Sequence, residues 1–238
     1  MRVLTVVHQP NAGPGVFADA AAARGDQLVT WVPRESPAPE LDGFGAALVF
    51  GGAMHVDQEA EHPWLRGEKE LIAALLARRV PLLGVCLGGQ LLSEVAGGRP
   101  HRAPQPEIGW HELELLPGAE GDPLLGELTK PTMGFEWHSY EMALPPRSIP
   151  LARTALCMQA FRLEDAAAWG IQFHAEVESG SIESWLTKSR GDEDRASVLL
   201  DEEAVRAETR ERIGAWNELG RSLCHRFLEE AAVYSSVA

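Results

Sequence analysis

The chain has 238 residues, 45% hydrophobic and 24% charged, with 23 Gly and 16 Pro; these are the proportions of an ordinary folded domain and argue against disorder or a fibrous repeat. Thirty-five acidic against 21 basic side chains leave a formal net charge of -14, a field that repels a nucleic-acid backbone. No apolar run reaches membrane-spanning length, and three cysteines in no metal-type spacing predict a reduced, cytoplasmic protein without a bound metal.

Val3–Val7 reads as a first strand, too short for a signal-peptide core. Ala-rich Gly15–Arg24 reads as a helix, and Gln27–Val32 as a second strand ending at Pro33. The proline-rich stretch to Leu41 is a loop. Ala46–Phe50 is a third strand running into Gly51-Gly52, and Pro63–Arg79 a helix opened by proline. Pro81–Val85 is apolar enough for a strand buried on both faces, followed by a helix over Gly88–Ala96. This alternation predicts a parallel sheet covered on both sides. The middle differs: Ile108–Leu116, Ala152–Cys157, Met158–Leu163 and Ala168–Phe173 are short strand candidates with turns at Pro145-Pro146 and Pro150, expected as an antiparallel extension. Ser181–Lys188 and Asp201–Ala232 read as helices, the second with Ile213, Trp216, Leu219, Leu223 and Phe227 on one face. The expected architecture is α/β: a mostly parallel sheet flanked by helices, an antiparallel extension and C-terminal helices. Residues 1–190 form the α/β domain, and 191–238 a helical extension packed on it.

Chemistry concentrates at Gly84-Val85-Cys86-Leu87-Gly88-Gly89-Gln90. A strand meets a helix at Cys86, with glycine two residues before and two after, the cysteine version of a nucleophile elbow. A turn that lifts one side chain above the sheet strains the backbone and leaves no room for neighbouring Cβ atoms. The following helix places partial positive charge beside the sulfur, which favours thiolate. The Leu87 N–H is positioned to stabilise a developing oxyanion. Cys157 and Cys224 lack flanking glycines and read as core residues.

A thiolate needs a proton acceptor. Gly170-Ile171-Gln172-Phe173-His174-Ala175-Glu176 closes a strand run; in extended backbone His174 and Glu176 share a face, so the carboxylate can hold the imidazole tautomer. Cys86, His174 and Glu176 then supply nucleophile, base and orienter. The H-x-E triplet lacks the P-C-x-x-C partner of zinc deaminases, which removes that reading. His8, His55, His62, His101, His111 and His225 show no ligand-like partner in the sequence and receive no chemical role.

The two motifs together resemble the class I, triad-type glutamine amidotransferases, and more narrowly stand-alone proteins similar to the glutaminase domain of GMP synthase. The resemblance extends to Phe50-Gly51-Gly52-Ala53-Met54, His62-Pro63-Trp64-Leu65 and Glu107-Ile108-Gly109-Trp110. It implies a flavodoxin-like α/β fold and glutamine hydrolysis through a γ-glutamyl thioester on Cys86, with Glu176 orienting His174. It also implies an oxyanion hole from the backbone N–H groups of Gly52 and Leu87. Gln90 matches the family's substrate-holding glutamine, and Trp137-His138-Ser139-Tyr140-Glu141 matches the stretch that meets the substrate's amino and carboxylate ends, which makes His138, Ser139 and Tyr140 candidate contacts. Two departures stand out: Ala53 where many relatives carry proline, and Ser139-Tyr140 where GMP synthase-like members often carry Gly-Asp.

No phosphate-binding loop, dinucleotide fingerprint or acceptor-activating domain is apparent. Three readings therefore follow: a glutaminase whose ammonia goes to an acceptor or synthetase partner, a stand-alone hydrolase of γ-glutamyl amides or peptides, or a non-catalytic binding module. The thioester chemistry requires no cofactor, and the expected ligand is a small γ-glutamyl molecule.

Overall fold

A computed structural model describes residues 1–126, 128, 132–189 and 193–237. Five strands run parallel: β1 (Arg2–Val6), β2 (Gln27–Trp31), β3 (Phe44–Val49), β4 (Leu82–Val85) and β9 (Ala168–Ile171). Four more, β5 (His101–Leu115), β6 (Thr132–Glu141), β7 (Ser148–Arg153) and β8 (Met158–Leu163), continue the sheet antiparallel. The order across all nine strands is β2-β1-β3-β4-β9-β8-β7-β5-β6.

The parallel strands alternate their apolar residues between two cores, as a sheet covered on both faces must. Val3, Leu48, Leu83 and Val85 face a core shared with α1 (Val16–Arg24), α4 (Ser179–Lys188) and α6 (Glu202–Val237). Leu4, Val49 and Leu82 face the opposite core, filled by Leu65, Ile72 and Leu75 of α2 (Trp64–Ala77) and Leu87 and Leu91 of α3 (Leu87–Val95). A short helix, α5 (Glu193–Ala196), precedes α6.

The α6 helix belongs to the first of these cores. Trp216, Leu223, Phe227 and Leu228 are buried in it, and Cys224 lies against the Phe17 carbonyl. Gly220 permits closest approach: a Cβ there would sit 2.0 Å from the Ala175 carbonyl oxygen. Helix and loop thus meet backbone to backbone at Ala175, between His174 and Glu176.

Two expectations are corrected. The strand expected over Ala152–Cys157 runs instead over Ser148–Arg153, so Pro150 lies inside it and Cys157 falls in the following turn. The strand expected from Ile108 begins at His101 and tolerates Pro104 and Pro106 because the ladder to β6 breaks register between Arg102 and Glu107. β6 itself carries no apolar/polar alternation, since it is buried on both faces and its polar side chains Glu136, His138 and Ser139 are buried with the rest.

Candidate active site

Cys86 stands at the junction of β4 and α3 with φ 52° and ψ −111°, a region that costs a non-glycine residue about 1–3 kcal/mol. The surrounding packing enforces it. The Cys86 N–H donates to the Ile171 carbonyl at 2.7 Å, and its carbonyl accepts from the Gln90 N–H at 2.9 Å. A Cβ on Gly84 would lie 2.5 Å from the Gly88 carbonyl, and one on Gly88 only 2.1 Å from the Val49 carbonyl oxygen. The glycines on either side are therefore steric requirements of the elbow. The thiol is nearly buried at 6% exposure, with Sγ 3.9 Å from the Trp137 carbonyl oxygen.

His174 arrives from the other side of β4, on the segment after β9. The chain has already left the strand there, so the two-residue strand periodicity does not pair His174 with Glu176. Local anchors do: His174 N–H donates to the Phe135 carbonyl at 2.9 Å, and the Glu176 carbonyl accepts from Val16 N–H at 3.0 Å. His174 Nδ1 donates to Glu176 Oε1 at 2.7 Å. The other ring nitrogen, Nε2, is buried without a hydrogen-bond partner among the described residues. A Cβ built on Gly51 would lie 3.1 Å from His174 Cε1 and 3.8 Å from Cys86 Sγ, so ring and thiol face one another across a single glycine. Burial opposes charge on this imidazole, but the Glu176 carboxylate and then Cys86 outweigh it and hold His174 well above the usual histidine range. Trp185 packs edge-on against the ring at 4.8 Å and limits its movement.

Cys86 and His174 line a cavity of about 350 Å³ together with Gly51, Gly52, Leu87 and Gln90. The expected contact residues divide. Gln90 is buried and spends its amide N–H groups on the Tyr140 carbonyl and Gln172 Oε1, at 3.1 and 3.2 Å. Ser139 and Tyr140 line the cavity, but Ser139 Oγ donates to Asp194 at 2.5 Å and Tyr140 OH to Asp57 at 3.0 Å.

The His138 backbone borders the same space, while its ring makes a buried network with other groups. His138 Nδ1 donates to the Tyr140 carbonyl at 2.9 Å, and Nε2 lies 3.3 Å from Glu107 and 3.4 Å from Glu136. Against burial, these two carboxylates raise His138 to about 10. Burial raises Glu136, whereas for Glu107 the His138 and Thr154 contacts overcome burial and lower it. Glu107, His138 and Cys157 could together offer ligand atoms to a metal ion. Glu107 Oε2, however, already accepts from Thr154 Oγ1 and Gln159 Nε2 at 3.0 Å each.

Other participants carry no local sequence signal. Asp194, on α5, reaches the cavity rim and is gripped by His55 at 2.9 Å and Arg102 at 2.5 Å. His8 meets Glu68 at 2.9 Å. Most of the histidines given no role thus have carboxylate partners, since His101 pairs with Glu141, His111 with Glu107 and His225 with Glu229. For His8, His55 and His101 the partner is a distant part of the chain, beyond the reach of motif reading.

A parallel α/β sheet that delivers a cysteine onto a helix start, opposite a carboxylate-held histidine, defines the glutamine-amidotransferase type of protein. A model of the family "Glutamine amidotransferase class-I" matches residues 18–189, and the chain belongs to that family. It is similar to the glutamine amidotransferase-like protein YfeJ of Salmonella typhimurium, 28% identical over 196 residues that cover 80% of this chain and 82% of that one. It is also similar to the glutamine-hydrolyzing GMP synthase subunit of Saccharolobus solfataricus, 32% identical over 61% of this chain and 74% of that protein. Among solved structures, a glutamine amidotransferase of Thermotoga maritima superposes with TM-score 0.85 at 25% identity, covering 96% of this chain and 98% of the other. One from Methylobacillus flagellatus gives 0.82 at 26%, covering 96% and 94%. No helix among the described residues is long and apolar enough to cross a membrane.

Proposed function

We propose that the protein is a glutaminase in which Cys86 is the nucleophile, His174 the acid–base and Glu176 its orienter. The observation that carries this reading is the orientation of the ring: Nδ1 is committed to Glu176, which leaves Nε2, on the side of the thiol, to exchange a proton with Sγ. With the thiol proton held on Nε2, Sγ attacks the side-chain amide carbon and a tetrahedral oxyanion forms. The N–H groups of Leu87, at the start of α3, and Gly52 receive that charge; one such donor is worth about 3–4 kcal/mol of transition-state stabilisation. The imidazolium then protonates the departing nitrogen and ammonia leaves. Water, deprotonated by Nε2, attacks the thioester through a second oxyanion, and its proton returns to Sγ as the γ-carboxylate departs. Because relatives are named as subunits of GMP synthase, we assign the ammonia to an acceptor held by a partner synthetase. Residues 1–190 constitute the catalytic unit and the helices beyond it a support.

A second reading, hydrolysis of γ-glutamyl amides or peptides, is favoured by one feature. Asp194 and Arg195 wall the cavity and lie beyond residues 18–189 matched to the family, so the distal end of the substrate would meet side chains outside the matched segment.

Glutamate release from glutamine and from a panel of γ-glutamyl peptides, with Cys86→Ala as control, separates the readings. Glutamine turnover, by the protein alone or in the presence of a partner synthetase, supports the first. Turnover of peptides without glutamine overturns it in favour of the second, and turnover that survives Cys86→Ala refutes both.

A further inference from the structure

His8, two residues after β1, is buried together with Glu68 of α2, and neither side chain reaches solvent. Both ring nitrogens meet acceptors. Nδ1 lies 3.0 Å from the Gly51 carbonyl oxygen, and Nε2 lies 3.0 and 2.9 Å from the two oxygens of Glu68. A neutral imidazole carries one N–H and cannot serve both. Either the imidazolium donates at both ends, or Glu68 holds the second proton; in both cases a ring N–H faces Gly51. Trp64, four residues before Glu68, stacks on the ring at 5.4 Å. One turn of α2 therefore fixes the imidazole by its face and its edge.

The bond to Gly51 decides a peptide orientation. In a trans peptide the carbonyl of one residue and the N–H of the next point in opposite directions. With the Gly51 oxygen held by His8, the Gly52 N–H is directed away from His8. Two consecutive glycines have little intrinsic preference between this peptide orientation and its flipped form. In the flipped form the Gly51 carbonyl turns from His8 and the Gly52 N–H is lost to the cavity.

We propose that His8, backed by Glu68, is a positioning residue that locks the Gly51–Gly52 peptide with its N–H available to the oxyanion, so that the hole exists before substrate arrives. This rests on the glutaminase reading above for its catalytic meaning, but the lock itself is a property of the ligand-free protein and is tested there.

The informative pair is His8→Asn and His8→Leu. Both leave Glu68 without its imidazole, so that cost is common to the two. Asn alone keeps a donor at the δ position. In crystal structures of the ligand-free variants, the Gly51 carbonyl is expected to stay in place in His8→Asn and to rotate or become disordered in His8→Leu. Nitrogen-15 spectra of the wild-type histidines are expected to show a protonated Nδ1 on His8 at neutral pH, a readout that needs no variant to fold. Kinetically, His8→Leu is expected to lower kcat about 100- to 1000-fold with KM within about threefold, and His8→Asn to recover most of it, on the scale of an oxyanion donor lost and kept. An undisturbed peptide in His8→Leu overturns the proposal, as does a bare Nδ1 in the wild type. Equal kcat values for the two variants in an active enzyme overturn it as well. A wild type without turnover both alone and with a partner synthetase refutes the glutaminase reading and leaves the structural and spectroscopic arms to judge the lock.

Discussion

Gly51 is where the facing of thiol and imidazole can be probed with one methyl group. In Gly51→Ala the new Cβ would lie 3.1 Å from His174 Cε1, 3.4 Å from Cys86 Cβ and 3.8 Å from Sγ. Carbon atoms pack comfortably at about 3.5–4.0 Å, so the methyl and the imidazole overlap by roughly half an ångström. The ring has little room to yield, because Glu176 holds Nδ1 at 2.7 Å and Trp185 stands 4.8 Å away. For the fold, overpacking of this kind costs about 1–3 kcal/mol, and replacing glycine lowers unfolded-state entropy by about 0.4–1 kcal/mol in compensation. The net loss is therefore about 1–2 kcal/mol, a fall in Tm of roughly 2–8 °C for a chain of this size. Catalysis responds more steeply, since a 1 Å displacement of a reacting group costs on the order of 100-fold. Gly51→Ala is expected to lose about 10- to 100-fold in kcat while remaining folded. The assay is glutamate release beside a thermal melt. A folded variant with kcat within twofold of wild type would refute the facing arrangement of Cys86 and His174.

Backbone strain at Cys86 separates two inactive variants: Cys86→Gly should be more stable than Cys86→Ala by about 1 kcal/mol, because both lose the sulfur and only glycine accepts φ 52° without strain; urea denaturation of the pair checks it, and equal midpoints would remove the strain argument. A small alkylating reagent should label Cys86 alone in the native protein. Burial raises the Cys224 thiol to about 12 and also pushes Cys157 up, where nearby Glu107 adds to the effect; mass spectrometry of the digest reads this, and native labelling at either would contradict the packing. His138 gives a pH dependence of stability. Its folded value, about 10, lies above the unfolded value of about 6.5, so its contribution is complete below about pH 6.5 and is lost as pH rises toward 10. Between pH 7 and 10 the wild type should lose stability more steeply than His138→Gln, measured by denaturant unfolding at each pH; a shallower wild-type slope would reverse the assignment of charge in that network.

The parts of the fold that could be read from the sequence are those whose cause is local. Cys86 is visible because an elbow needs glycine within two residues on each side, and both requirements are written next to it. The parallel strands are visible because burial on two faces demands continuous apolar runs. β6 is invisible for the opposite reason: its buried faces hold Glu136, His138 and Ser139, the last two partnered by Glu107, Gln159 and Asp194 from other elements, so no period survives in the sequence. His174 and Glu176 are recognisable as a pair, yet the strand geometry that suggests their pairing is absent; loop anchors from Phe135 and Val16 produce the contact instead. His8 has no local signal because its partner lies sixty residues away on α2.

The loop bearing His174 and Glu176 is fastened from behind by α6: Trp216 Nε1 donates to the His174 carbonyl at 2.8 Å and Asn217 Nδ2 to the Val177 carbonyl at 2.7 Å. During synthesis the ribosome releases these two residues some forty positions after the loop they hold. A nascent chain can complete the elbow around Cys86 while His174 still lacks a fixed place, so the histidine side of the cavity is the last to be set, and it waits for a helix that lines none of it.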